Sequence, residues 1–122
     1  MTPERVRELT GWPEDVPEAL LLAHLDAARR RIDALTTARA GADYDDAIAW
    51  EAARTAAPVL HTFALAGAAK VGRLEGGVEW RFLSPSELEG YARRLAEMRD
   101  ACLARLPAAS SALSGPMFMA AI

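Results

Sequence analysis

The sequence predicts a mostly α fold: a small bundle of about four helices, with one β-hairpin between the last two and an extended C-terminal tail. Three observations predict it. Leu21, Leu25, Ala28, Ile32 and Leu35 recur at alternating spacings of four and three, an amphipathic helical seam. Two helix starts are spelled out, Thr2-Pro3-Glu4 and Ser84-Pro85-Ser86-Glu87. The Gly76-Gly77 pair precedes Val78, Trp80 and Phe82, which alternate with Glu79 and Arg81 at period two.

The first helix is short. Thr2 caps it, Pro3 takes the first helical position, and Gly11 stops it after Val6 and Leu9. A connector, W-P-E-D-V-P, follows, and its Trp12 is expected to pack back onto the core. Pro17 opens the second helix, which runs to about Thr36, with Asp26, Arg30 and Asp33 on its polar face. A loop broken at Gly41 leads to the third helix, capped by Asp43 or Asp45 and reaching about Lys70. Ile48, Ala52, Thr55, Val59, Phe63 and Ala66 form one of its faces. Trp50, Ala53, Ala57, Leu60 and Ala64 form a second. A helix apolar on two sides is central or lies in a subunit interface. Pro58 within it is expected to kink it.

The hairpin arms are expected near 71–75 and 78–83, and an isolated hairpin must lean on something. In the last helix Ser84 and Glu87 make a capping box. Leu88, Tyr91, Leu95, Met98 and Cys102 give its buried stripe, and Leu106-Pro107 ends it. The chain therefore divides into a helical domain over 1–106 and a linker with an extended tail over 107–122.

Bulk properties bound the function. The 122 residues form one domain large enough to bury a core without disulfides or metal. At 52% hydrophobic and 25% charged, the composition is globular. The net charge of −3 argues against a dedicated nucleic-acid binder. No signal peptide is expected at the N-terminus, and no apolar run approaches the roughly 20 residues of a membrane span. Cys102 is the single cysteine, so no internal disulfide is possible.

Reactive constellations are missing. His24 reads as a surface or boundary residue and His61 as a helix-packing one, with no close spacing to suggest a metal site. Cys102 falls on a buried stripe and reads as core. Asp45-Asp46 flanks a helix start, where acids favour the dipole. Gly76-Gly77 lacks the following Lys and Ser/Thr of a phosphate loop. The expectation is a non-enzyme without cofactor or metal. Arg29-Arg30-Arg31 is a candidate DNA contact, but adjacent helix residues point about 100° apart, and Asp26 and Asp33 sit at pairing distance from Arg30.

The chain ends S-A-L-S-G-P-M-F-M-A-A-I. Gly115-Pro116 breaks any helix before an apolar strip of Met117, Phe118, Met119 and Ile122. Such a strip either caps the domain's own core or is a partner site.

Four stretches carry a wider likeness: V-R-E-L-T-G-W-P-E-D-V-P, L-L-L-A-H-L-D-A-A-R-R-R-I-D-A-L-T, A-A-R-T-A-A-P-V-L-H-T-F-A-L-A-G and E-G-G-V-E-W-R-F-L-S-P-S-E-L. Over residues 2 to 106 the pattern resembles the head-tail connector (adaptor, head-completion) proteins of tailed bacteriophages and gene transfer agents. The likeness is one of pattern, with no catalytic signature behind it. It implies a structural virion protein at the neck, made in the host cytoplasm. Its partners would be a portal protein, a tail-side connector or tail-terminator protein, and further copies of itself in a dodecameric ring. Packaged DNA would pass through the channel without sequence-specific binding, and no membrane is involved.

The resemblance also implies that residues 107–115 are a reach and Pro116, Met117, Phe118, Met119 and Ile122 a portal-docking anchor. An extended segment of this kind adds main-chain hydrogen bonds to a partner strand. Subunit or tail contacts are expected at Trp50, Leu74, Val78, Trp80 and Phe82. The alternative is a helical DNA-recognition module such as a small terminase subunit. That would need a basic recognition helix near the start, where this chain has an acidic, Pro-rich connector.

Overall fold

A computed structural model describes residues 2–66 and 84–108. They form a mostly helical fold of four helices: α1 (Pro3–Thr10), α2 (Glu18–Asp33), α3 (Ala42–Ala66) and α4 (Pro85–Leu103). Among the described residues there is no strand, only an isolated antiparallel bridge between Thr36 and Ala108. The hairpin expected near 71–83, and the tail from residue 109 onward, lie outside the described residues.

The helix signals act as their chemistry requires. Thr2 is extended, and its hydroxyl accepts from the Arg5 N–H at 3.2 Å, with Pro3 at the first position. Gly11 ends α1 at φ 78°, a left-handed conformation that glycine adopts without strain, and its N–H returns to the Arg7 carbonyl at 2.8 Å. At α4 the capping box is complete: the Glu87 N–H donates to the Ser84 hydroxyl, and the Ser84 N–H donates to the Glu87 carboxylate.

α3 is the central element, packed against α1, α2 and α4. Every residue from Ala47 to Ala53 is buried, two full turns with no solvent face. The alanines of this stretch let α2 and α4 come close. From α2 the seam Leu21, Leu25, Ala28 and Ile32 packs into the core, and α4 adds Tyr91, Leu95 and Cys102. Each fully buried Leu or Ile contributes roughly 1.5–3 kcal/mol relative to exposure. The second apolar face of α3, which the sequence leaves open to a subunit interface, is thus covered within the chain as far as Leu60. Trp12 packs back on the core as expected, and its indole N–H donates to the Tyr91 hydroxyl at 3.0 Å.

Several boundaries differ from expectation. α2 stops at Asp33, capped by Ala34, so Leu35 lies beyond the helix and is exposed. α3 starts at Ala42, after Gly41 at φ 111°, so Asp43 and Asp45 occupy its first turn and do not cap it. Acids in the first turn are favoured by the positive end of the helix dipole. α3 runs on through Pro58. Pro107 and Ala108, read from sequence as the start of a linker, are held to the body. The Pro107 carbonyl accepts from the Thr37 N–H at 3.2 Å and from the buried Thr36 hydroxyl.

Candidate functional site

The one charged side chain in the core stretch of α3 is Glu51, and it gathers three arginines from three helices. Its side chain is 3% exposed. Arg31 of α2 donates Nε to Oε2 at 2.6 Å. Arg54, one turn along α3, donates Nε to Oε1 at 2.8 Å and Nη2 to Oε2 at 2.6 Å. Arg99 of α4 donates Nη1 to Oε1 at 2.7 Å, and its Nε and Nη2 turn to Asp100, both at 2.9 Å. Burial by itself would raise the Glu51 pKa. The hydrogen bonds from Arg54, Arg99 and Arg31 override it and hold the carboxyl at about 2. The carboxylate is therefore ionised throughout the neutral range.

Beside this cluster, His24 of α2 shares a hydrogen bond of 2.7 Å with the Thr55 hydroxyl, which itself donates to the Ala52 carbonyl. Partial burial lowers the His24 pKa, and the positive charge of Arg31 lowers it further. His24 is a boundary residue, and His61 is buried within α3. Cys102 is buried, and desolvation raises its thiol pKa, which disfavours the nucleophilic thiolate. Among the described residues no group of three His, Cys, Asp or Glu is placed to hold a metal ion. No described helix is long and apolar enough to cross a membrane.

The Arg29-Arg30-Arg31 run does not act as one patch. Arg30 pairs with Asp26 at 2.6 Å on the exposed face of α2, as its spacing implies. Arg31 turns inward to Glu51, and Arg29 lies toward the Tyr44 hydroxyl, which donates to Asp33 at 2.6 Å. Arg5 forks onto Asp46 through Nε at 2.8 Å and Nη2 at 2.9 Å, tying α1 to α3.

Two shallow apolar grooves open on different parts of the surface. The first, of about 220 Å³, is lined by Leu9 and Thr10 of α1, Trp50 of α3, and Tyr91, Arg94, Leu95 and Met98 of α4. Met98 belongs by spacing to the buried stripe of α4, yet it is 46% exposed. The second, of about 230 Å³, lies between α2 and α3 and is lined by Pro17, Leu20, Val59 and Leu60. Val59 shares a face of α3 with buried Ile48 and Ala52, and it too is 46% exposed. Trp50, an expected contact residue, is therefore mostly buried at the edge of the first groove. The other expected contact residues, Leu74, Val78, Trp80 and Phe82, lie outside the described residues, as do Pro116, Met117, Phe118, Met119 and Ile122.

Sequence reasoning misses Glu51 as a buried charge. Its Arg54 partner at i+3 is visible as a helical pair, but Arg31 and Arg99 are brought in by packing. Comparison of the chain with family models, with curated proteins and with solved structures gives no match.

Proposed function

We propose that the protein is a structural head-tail connector: a protomer of a ring beneath a portal that extends the DNA channel and presents a surface to the tail. The ring form is a dodecamer, the chemistry is assembly and not catalysis, and the C-terminal strip from Pro116 to Ile122 is the portal anchor. The likeness of sequence pattern over residues 2 to 106 supports this reading. The observation that carries it on the described body is the pair of uncovered core-register residues, Met98 and Val59. Each stands on an apolar face by helical spacing, and each lines a groove that the described residues leave open. A ring contact is heterologous and needs two different surfaces on one protomer. The α1/α3/α4 groove and the α2/α3 groove are two such surfaces.

The test is binding of the full chain to a candidate portal ring, beside a chain truncated after Ser114 and a Phe118→Asp variant. Circular dichroism and thermal melting are recorded for all three. A truncated chain that melts like the full one but no longer binds supports the anchor and the connector. A truncated chain that still binds, with a lowered melting temperature, makes the strip part of the domain's own core. Full chain that never binds a portal, and never forms rings beside one, overturns the proposal.

A further inference from the structure

The arginine cluster holds more positive charge than its buried carboxylate needs. Among the described residues three guanidiniums face two carboxylates, Glu51 and Asp100, and Asp100 pairs with Arg99, so one positive charge is in excess there. The excess lies on the α2–α3 side. Arg31 Nε and Arg54 Nη2 both stand 2.6 Å from the same Glu51 oxygen, so the two forks are held side by side. Among the described residues Arg31 uses only its Nε, which leaves both terminal nitrogens for another acceptor, and Arg54 keeps Nη1. Both side chains reach water, at 42% and 33% exposure, while the carboxylate that orients them does not.

We infer that Arg31 and Arg54, held side by side over Glu51, form a binding site for a phosphate-class oxyanion. Guanidinium forks suit tetrahedral phosphoryl oxygens, to which they donate in parallel pairs. The forks are already fixed by a residue on the central helix, so little side-chain freedom is lost when the anion arrives. The single excess charge matches one phosphodiester or one singly charged phosphate. His24, beside Arg31, is pushed toward its neutral form and adds no charge of its own near pH 7. The site stands independently of the connector proposal. A backbone phosphate of DNA and free phosphate present the same group to it, and the experiment separates them.

The full chain is melted in increasing inorganic phosphate, with ionic strength held constant by chloride. A short fluorescent DNA duplex is titrated in parallel by anisotropy. The expected result is a saturable rise in melting temperature with phosphate. Arg31→Gln weakens the apparent phosphate affinity about tenfold, the loss of a charge-assisted hydrogen-bonded pair. Arg30→Gln, next to it but paired with Asp26, leaves that affinity unchanged. Arg31→Lys keeps the charge without the fork and falls between the two. Duplex binding that phosphate competes away, and that Arg31→Gln weakens, assigns the site to a nucleic-acid backbone. Phosphate binding without duplex binding assigns it to a free ion or nucleotide. Wild-type chain with no phosphate response beyond chloride overturns the inference. So does an Arg31→Gln chain that folds and binds phosphate as Arg30→Gln does.

Discussion

Tyr91 and Arg99 stand about two turns apart on α4, and they tie it to the body by opposite chemistry. Tyr91 is buried and accepts a neutral hydrogen bond from the indole of Trp12 in the α1–α2 connector. Arg99 is part-exposed and donates to Glu51, a carboxylate shut inside α3. The two ties are unequal in how they fail. A lost neutral partner costs the hydrogen bond and some desolvation, about 1–3 kcal/mol. A lost partner in a buried ionic cluster strands charge in a poorly solvated place, which costs roughly 3–5 kcal/mol. One end of α4 is therefore held by packing with a polar detail, and the other by an electrostatic arrangement centred on the Glu51 carboxylate.

The largest effect should come from Glu51→Gln. The amide keeps the shape of the side chain but leaves Arg31, Arg54 and Arg99 converging on a neutral group. Urea unfolding of the variant should show a loss on the order of 3 kcal/mol. Arg31→Gln should cost clearly less, because Arg31 is the most exposed of the three and two cations remain on the carboxylate. If Glu51→Gln is within 1 kcal/mol of wild type, the cluster is not a clamp and the contrast between the two ends of α4 collapses.

Acid should show the same asymmetry more gradually. The folded-state pKa of Glu51 lies at about 2, below its ordinary 4.5. Ionised Glu51 therefore contributes its full stability above about pH 4.5 and loses it as the pH falls toward 2. Asp46, held below the usual carboxylate range mainly by its hydrogen bond from Arg5, adds a loss of the same sign as the pH falls. Denaturant midpoints taken at steps down this range should fall steeply in wild type and more gently in Glu51→Gln. Parallel curves for the two proteins would assign the acid sensitivity to Asp46 and other carboxylates.

How much of this was legible in the sequence follows from the range of each interaction. Thr2, Gly11, Ser84 and Glu87 act within one turn of themselves, and their roles could be read residue by residue. The seam of Leu21, Leu25, Ala28 and Ile32 is periodic, so its buried face was legible too. Glu51 was not. A glutamate between Trp50 and Ala52 reads as a break in an apolar face, and partners 20 and 48 residues away leave no local trace. Leu35 was misplaced because the helix ends at Asp33, two residues before it. Met98 and Val59 failed differently. Their spacing places them on apolar helix faces, yet both are 46% exposed, because spacing states which way a residue faces and not whether anything covers it. For the groove at Met98 the sequence supplied Trp50 as a contact residue, while Leu9 and Met98 became its neighbours only through the packing of α1 and α4 on α3.

The smallest of these effects sharpens the comparison most. Tyr91→Phe removes the oxygen that accepts from the Trp12 indole and leaves the ring in place. The side chain is buried, and desolvation raises the pKa of its phenol, so the neutral form is the one that bonds at any physiological pH. The expected loss is about 1 kcal/mol, with no change in its dependence on salt or on pH below 7, because no charge is removed. Arg94, whose guanidinium lies 5.4 Å from the centre of the Tyr91 ring, keeps that contact with phenylalanine. The same variant, melted at low and high salt beside Glu51→Gln, separates the two ties by kind as well as by size. The Tyr91→Phe difference from wild type should stay constant with salt. The Glu51→Gln difference should shrink as salt screens the repulsion among the three stranded guanidiniums. A salt-dependent Tyr91→Phe difference would mean that the phenol oxygen is tied into the ionic side of the molecule, and that α4 is held by one extended polar network from Trp12 to Glu51.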